Sequence, residues 1–194
     1  LQGVHEQQGV AIRLDTRVAR IEGEGGKVAA VLCADGSRLP CDLVLAAVGA
    51  VPNVEMAAAA GLAMEDGIAV DEYGRTSDPL IFAAGDCTSH PNVHARRRLR
   101  LSSVQNANDQ GRIVGATIAG RVEPHAAVPW FWSDQYDVKL QMVGLGVPGG
   151  PSVVRGSPAE GRFSLFRYDG PRLVAIESIN RPADHMMGRR LIAA

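Results

Sequence analysis

The sequence has no C-x-x-C pair. Its three cysteines, Cys33, Cys41 and Cys87, are scattered, so these 194 residues hold no redox dithiol. An odd, low cysteine count fits a reducing, cytosolic setting. No apolar run approaches the roughly 20 residues that cross a bilayer, and no membrane association is expected. Net charge is −1, from 20 Lys and Arg against 21 Asp and Glu. Such a balance gives no basic face for nucleic acid and no global field toward an anionic surface. Aromatic residues are few, at 5%, so a cluster of them is informative. What remains, 46% hydrophobic and 21% charged, is the composition of a folded chain with a core.

The opening also lacks something. Residues 1–10 read as the tail of a helix closed by Gly9, with no N-cap before it, so a longer parent protein is expected. Alternation over 10–22 predicts a strand, Gly23 to Gly26 a turn, and Val28 to Cys33 a second strand with a turn at Asp35-Gly36. Residues 42–49 are continuously apolar and end in Gly49, the pattern of a fully buried parallel strand. Val54 to Ala60 predicts a short helix, and 67–76 a strand and turn. Leu80 to Asp86 predicts a second buried strand with a carboxylate at its end, followed by a loop over 87–101. Ser103 to Ala119 predicts a helix whose apolar face is Val104, Ala107, Ile113, Ala116, Thr117 and Ile118. Glu123-Pro124 and Val128-Pro129 mark a boundary. Beyond it come the aromatic run Trp130 to Tyr136, strands near 137–144, 152–155, 162–168 and 172–179, and a helix over 182–193. The expected fold class is α/β followed by α+β, the latter an antiparallel sheet with one helix.

Four motifs bear on chemistry. Gly144-x-Gly146-x-x-Gly149 matches a dinucleotide fingerprint in letters only. A strand rather than a helix follows it, so a hairpin loop is the better reading. Cys87, His90 and His94 have ligand-like spacing, but a fourth ligand is missing and no metal is expected. Arg96, Arg97, Arg98 and Arg100 form the one charge run. It reads equally as a solvated loop or as a docking patch for an acidic partner or phosphate. Finally, Asp86 at a strand end and the helix opening at Ser102-Ser103-Val104 belong together. Ligands of open α/β sheets bind beyond strand carboxyl ends, and a helix N-terminus favours negative charge, such as that of a reduced flavin. Plain N-capping by Ser102 or Ser103 is compatible with this.

These residues carry a resemblance. Thr76 to Asp86 resembles the second FAD-binding motif of the pyridine nucleotide–disulfide oxidoreductase superfamily, and Ala47 to Asn53 the motif before it. Arg100 to Ala107, Trp130 to Tyr136 and Ile179 to Asp184 make the chain similar to the FAD-dependent ferredoxin and rubredoxin reductases that serve oxygenases. The resemblance implies the C-terminal half of such an enzyme. Residues 1–52 would end an NADH-binding domain, 53–122 would be the second segment of a Rossmann-like FAD domain, and 123–194 a C-terminal reductase domain. It implies that Gly85 and Asp86 meet the FAD ribityl and pyrophosphate region. Val104 N–H would face the flavin ring, Trp132 would lie against it with Phe131 beside it, and Gly49 would line the NADH site. In this family the position of Ser102 is commonly Glu, a departure at the nicotinamide end. The implied cofactors are FAD and NAD(P)H in the intact enzyme, with none expected on this chain alone. The implied partner is an iron–sulfur ferredoxin or a rubredoxin, drawn by the arginine run. No catalytic side chain is assigned. The rival reading is a non-catalytic interaction domain whose uncovered strand edges self-associate. A dithiol reductase is not excluded by cysteine count alone, because the dithiol of that class lies in the other half.

Overall fold

A computed structural model describes all 194 residues, Leu1 to Ala194. They form two compact units, Leu1–Ala50 and Val51–Ala194.

The first unit holds a short helix α1 (Gln2–Gln7) and an antiparallel meander of β1 (Val18–Glu24), β2 (Lys27–Cys33) and β3 (Arg38–Pro40). Gly25 and Gly26 make the first turn. The Asp35 carboxylate makes the second by accepting from the Ser37 N–H and hydroxyl. Glu22 draws Arg20 and Arg38 together across the sheet. Two sequence expectations fail here. The strand expected from residue 10 starts only at Val18, because the chain turns at Asp15 with φ of 53°. Residues 42–49 are not a strand. Leu43, Leu45 and Val48 are 82%, 87% and 95% exposed. A buried parallel strand needs neighbours to pair with, and β1–β3 pair only among themselves.

The second unit opens with α2 (Glu55–Ala59) and a small sheet of β4 (Ile68–Ala69), β5 (Thr88–Asn92) and β6 (Arg97–Leu99). Strand β5 is central, parallel to β4 and antiparallel to β6. Leu62, Ile68 and Val70 form its apolar core with Val54, Ala57, Ala83 and Cys87. Here too the expected strand is displaced. Residues 80–86 make one bridge, Phe82 to Arg75, and Leu80 is exposed. The strand follows the Gly85 turn instead, so 87–101 is a hairpin rather than a loop. Asn92 closes that hairpin by accepting from the His94 and Ala95 amides. Helix α3 (Val104–Ile118) lies where expected, but its buried face only partly matches the expected apolar one, keeping Ile113 and Thr117 and adding two amides. Asn106, Gln110, Ile113 and Thr117 are buried, while Val104 and Ile118 face solvent.

The remainder is one antiparallel sheet in the order β7-β8-β11-β10-β9, covered on one face by α4 (Pro182–Ala193). Its strands are β7 (Trp130–Gln135), β8 (Val138–Gly144), β9 (Ser152–Ser157), β10 (Arg162–Asp169) and β11 (Arg172–Ile179). Val143, Ile176 and Ile192 are the core, ringed by Trp130, Phe166 and Leu173. The opening turn of α4 is anchored by buried Asp184. It accepts from Ser164, which also bonds Ser178, and it pairs with Arg155 and Arg181. The glycine-rich 144–149 segment is followed by a strand, as read. It is not a hairpin loop, however, because it carries the chain from β8 to the far edge of the sheet.

Gly144 and Gly149 both have positive φ, 77° and 73°, but differ in surroundings. A Cβ on Gly144 would sit 2.1 Å from the Val174 carbonyl oxygen, whereas one on Gly149 meets open space. Gly149→Ala should therefore cost about 1 kcal/mol and Gly144→Ala about 3 kcal/mol or more. Urea denaturation reads the difference, and equal costs would contradict the packing described.

Candidate functional site

The site is built around the N-terminus of α3. Ser103 caps it, its hydroxyl accepting from the Asn106 amide at 3.2 Å. The first N–H groups, at Val104 and Gln105, are those a helix leaves without intrahelical partners. Behind them runs a buried polar column. Asn106 Nδ2 donates to the Leu101 carbonyl. Gln110 Oε1 accepts from the Gly85 amide at 2.7 Å, and the Thr88 hydroxyl lies within the same distance of it. Gln110 Nε2 faces His90 Nδ1 at 2.9 Å. Gly85, at φ of 90°, is thereby clipped to the flank of α3, where a Cβ would already touch Ala107. On the other side of the helix, Gln105 accepts from the Trp130 amide and donates to Asp109, tying α3 to β7.

In front of the α3 N-terminus lies a cleft of about 340 Å³, bordered by Ser102, Ser103, Phe131, Met142, Gly146 and Glu177. That is within the size range of small-molecule and cofactor sites, roughly 300–1,000 Å³. The pleat explains its floor. Phe131 pairs with Met142 and Met142 with Glu177, so these three share the sheet face away from α4. Trp130 faces the other way, beneath α4, between His185 and the Arg189 guanidinium. Glu177 is held in place by two hydrogen bonds from Arg167, each 3.2 Å.

The expected site residues are partly gathered here. Val104 stands at the helix end and Phe131 lines the cleft. Trp132 does not line it. Alternation returns it to the side of Trp130, on which it stacks at 5.3 Å between ring centroids. Gly85 and Asp86 lie along α3, one side of the polar column, and the exposed Asp86 carboxylate has no hydrogen-bond partner. Gly49 belongs to the first unit, in an exposed segment. The arginine run divides. Arg98 is structural: it donates to the Val70 and Ser89 carbonyls at 2.6 and 2.7 Å and pairs with Glu65. Arg100 pairs with Asp66 and donates to Ser102. Only Arg96 and Arg97 project freely. Cys87, His90 and His94 are spent on separate partners, the Ala84 carbonyl, Gln110 and the Ala126 carbonyl. Sequence reading missed Gln110 and Asn106 altogether. The signal available is the 106, 110, 113, 117 spacing, a helical stripe three of whose four members are polar.

Comparison with known proteins places this arrangement. The family model for pyridine nucleotide-disulphide oxidoreductases matches residues 1–111, and a reductase C-terminal model matches residues 130–194. The chain belongs to the pyridine nucleotide-disulphide oxidoreductase family. It is 44% identical to putidaredoxin reductase of Pseudomonas putida over 97% of its own length and 45% of that protein's. It is 45% identical to rhodocoxin reductase of Rhodococcus erythropolis, over 97% of its length and 44% of the relative's. The crystal structure of a ferredoxin reductase from Rhodopseudomonas palustris superposes with a TM-score of 0.95 at 47% identity, covering 99% of this chain and 48% of that one. The chain thus spans about half the length of the curated relatives it matches.

In this member of the oxidoreductase family the site is backed by buried imidazoles whose surroundings disfavour the charged form. Burial, reinforced by the charges of His125 and Arg98, pushes His90 down to about 4. Burial lowers His125 against the pull of Asp109, and burial with the nearby Arg189 lowers His185. Desolvation pushes the Asp184 carboxyl up. Its bonds from Arg181 and Ser164 and the Arg155 charge outweigh that and hold it below the usual range.

Histidines lowered in the folded state bind fewer protons than in the unfolded chain. Stability should therefore fall as pH drops below about 6.5, by up to roughly 1.4 kcal/mol per pH unit for each histidine, until the folded-state pKa is passed. Asp184 adds a further loss only below the ordinary aspartate range. Thermal melts between pH 7 and 4 read this, and a flat profile would contradict it. Arg98→Ala strips charged donors from two backbone carbonyls and should cost about 2–3 kcal/mol. Arg96→Ala and Arg97→Ala should stay within about 0.5 kcal/mol. Three equal effects in chemical denaturation would show that the run is not divided as described.

Proposed function

We propose that the whole protein is an FAD-dependent NAD(P)H:ferredoxin reductase, and that the cleft facing the α3 N-terminus takes the flavin ring. The observation that carries the reading is the opposition of that helix end, with its free N–H groups, to the Phe131 face across one cleft. The residues fit the group in three respects. A positive helix end suits a ring that gains negative charge on reduction. Phe131 and Met142 supply an apolar floor. The unpartnered Asp86 carboxylate, beside the Gly85 turn, suits a polyol hydroxyl. When bound, FAD supplies hydride acceptance from NAD(P)H and single-electron release to an iron–sulfur protein. The chain's own part is to orient the ring through Val104 N–H, cover it with Phe131, and keep Trp132 at the edge, stacked on Trp130. Gly49 would lie toward the nicotinamide nucleotide.

In this reading residues 1–52 close an NADH-binding domain, 53–122 supply the second FAD-domain segment, and 123–194 are the C-terminal reductase domain. The apolar segments 42–49, largely exposed, and 80–85, exposed at Leu80 and Ile81, are strands whose pairing partners lie in the part of the relatives that this chain does not span. The 194 residues carry no glycine fingerprint leading into a helix, so this chain alone binds no FAD and associates with itself through those segments. A ferredoxin or rubredoxin, acidic where it docks, meets Arg96 and Arg97. The setting is the cytoplasm.

Absorption spectra of the isolated chain after FAD titration should show no bound flavin, while the protein expressed from its whole gene is yellow. A stoichiometric yellow chain would contradict the division of the FAD site. In the whole protein, Arg96→Glu with Arg97→Glu should slow reduction of a 2Fe–2S ferredoxin about tenfold at low salt and flatten its salt dependence. Ferricyanide reduction should be unchanged. An unaltered ferredoxin rate would remove the docking role from these arginines.

A further inference from the structure

We propose that a single buried water molecule links His90 Nε2 to His125 Nε2 and completes a hydrogen-bonded relay that begins at the Gly85 amide. The argument starts from a group with no choice of role. The Gly85 N–H can only donate, so the amide facing it at 2.7 Å must be Gln110 Oε1. The Gln110 NH₂ is then the end that faces His90 at 2.9 Å, and His90 Nδ1 must accept. A neutral His90 therefore carries its proton on Nε2. That Nε2–H is buried and has no partner in the chain. His125 Nε2 is likewise buried and unpartnered, in a ring packed edge-on to His90 with centroids 5.1 Å apart.

Both rings line one small cavity of about 10 Å³, close to what a single water centre requires, roughly 10–15 Å³. Two orphaned nitrogens, one of them a fixed donor, call for a ligand that accepts from one and donates to the other. Water does so, with His125 carrying its proton on Nδ1. A metal ion does not, because Gln110 holds His90 in the tautomer whose Nε2 is protonated.

The relay is acid-sensitive. Protonating His90 sets a second N–H against the Gln110 NH₂ and breaks that link, and a Gln110 amide that turns over to accept from His90 gives up its bond from the Gly85 N–H. The charged groups facing the pair are Arg98 from β6, Asp109 and Arg112 from α3, and Asp71 and Glu72 from the turn after Val70. His125 and Arg98 both act to lower His90, while Asp109 acts to raise His125.

Long-range proton–nitrogen spectra of the histidine rings in the 194-residue chain test this without any cofactor. The expected result at pH 7 is His90 in the Nε2–H form and His125 in the Nδ1–H form, with a cross-peak from His90 Hε2 to a long-lived water. Gln110→Glu can accept from Gly85 but cannot donate to His90. It should convert His90 to the Nδ1–H or doubly protonated form and raise its titration by about 1 pH unit or more. His90 found as the Nδ1–H tautomer in the unsubstituted chain, or absence of the water cross-peak, overturns the proposal. So does an unchanged His90 in Gln110→Glu, or a joint shift of both rings on adding zinc.

Discussion

The bond from the Gly85 amide to Gln110 Oε1 fixes more of this structure than any apolar contact does. It settles which way the Gln110 amide points, hence which His90 nitrogen accepts, and it pins the turn after residue 84 to the flank of α3. Everything in front of the helix depends on that turn staying put. Asp86 can present a free carboxylate, and the first N–H groups of α3 can face an open cleft, only because the polar groups behind them are already satisfied. A buried amide that lost its partner would cost more than the bond itself contributes, so such a column is either complete or harmful.

A second constraint is the two-residue period of the C-terminal sheet. It sends Trp130 and Trp132 to one side and Phe131, Met142 and Glu177 to the cleft. Gly188 lets α4 close down on the first face. A Cβ there would stand 2.7 Å from Ile176 and 2.9 Å from Val143. One face is therefore a dry core under a helix. The other is the floor of the candidate flavin site, and neither could be repacked without moving the other.

The sequence made the last third legible almost strand by strand. Its strands alternate, their turns are marked, and their partners all lie within the chain. Helix α3 was legible in span and cap, since Ser103 and Gly120 bracket it, but not in which face it buries. Asn106 and Gln110 look like solvent residues until the groups they meet, the Gly85 N–H donor and the Leu101 carbonyl and Ser103 hydroxyl acceptors, are placed. Segments 42–49 and 80–86 failed for a different reason. Their apolar runs match the pattern of buried strands, but a strand forms only against neighbours to pair with, and within these 194 residues neither segment has them beyond the Phe82–Arg75 bridge. Hairpin β5–β6 was hidden because its strands are polar, and Arg98 was mistaken for a surface charge because only the fold reveals the two carbonyls it serves. Of the site, the helix end, Phe131 and the Gly85–Asp86 turn were visible through motif resemblance. Trp132's turn away from the cleft follows from strand register, which resemblance does not convey.

These observations meet in the assignment we propose, that the cleft between the α3 N-terminus and the Phe131 face takes the flavin ring. The most direct measurement is a crystal structure of the whole protein with FAD bound. The account predicts the ring in that cleft, Val104 N–H directed at its edge, Phe131 against it and Asp86 on the polyol chain. A ring bound elsewhere, or the cleft filled by another part of the polypeptide, would contradict it.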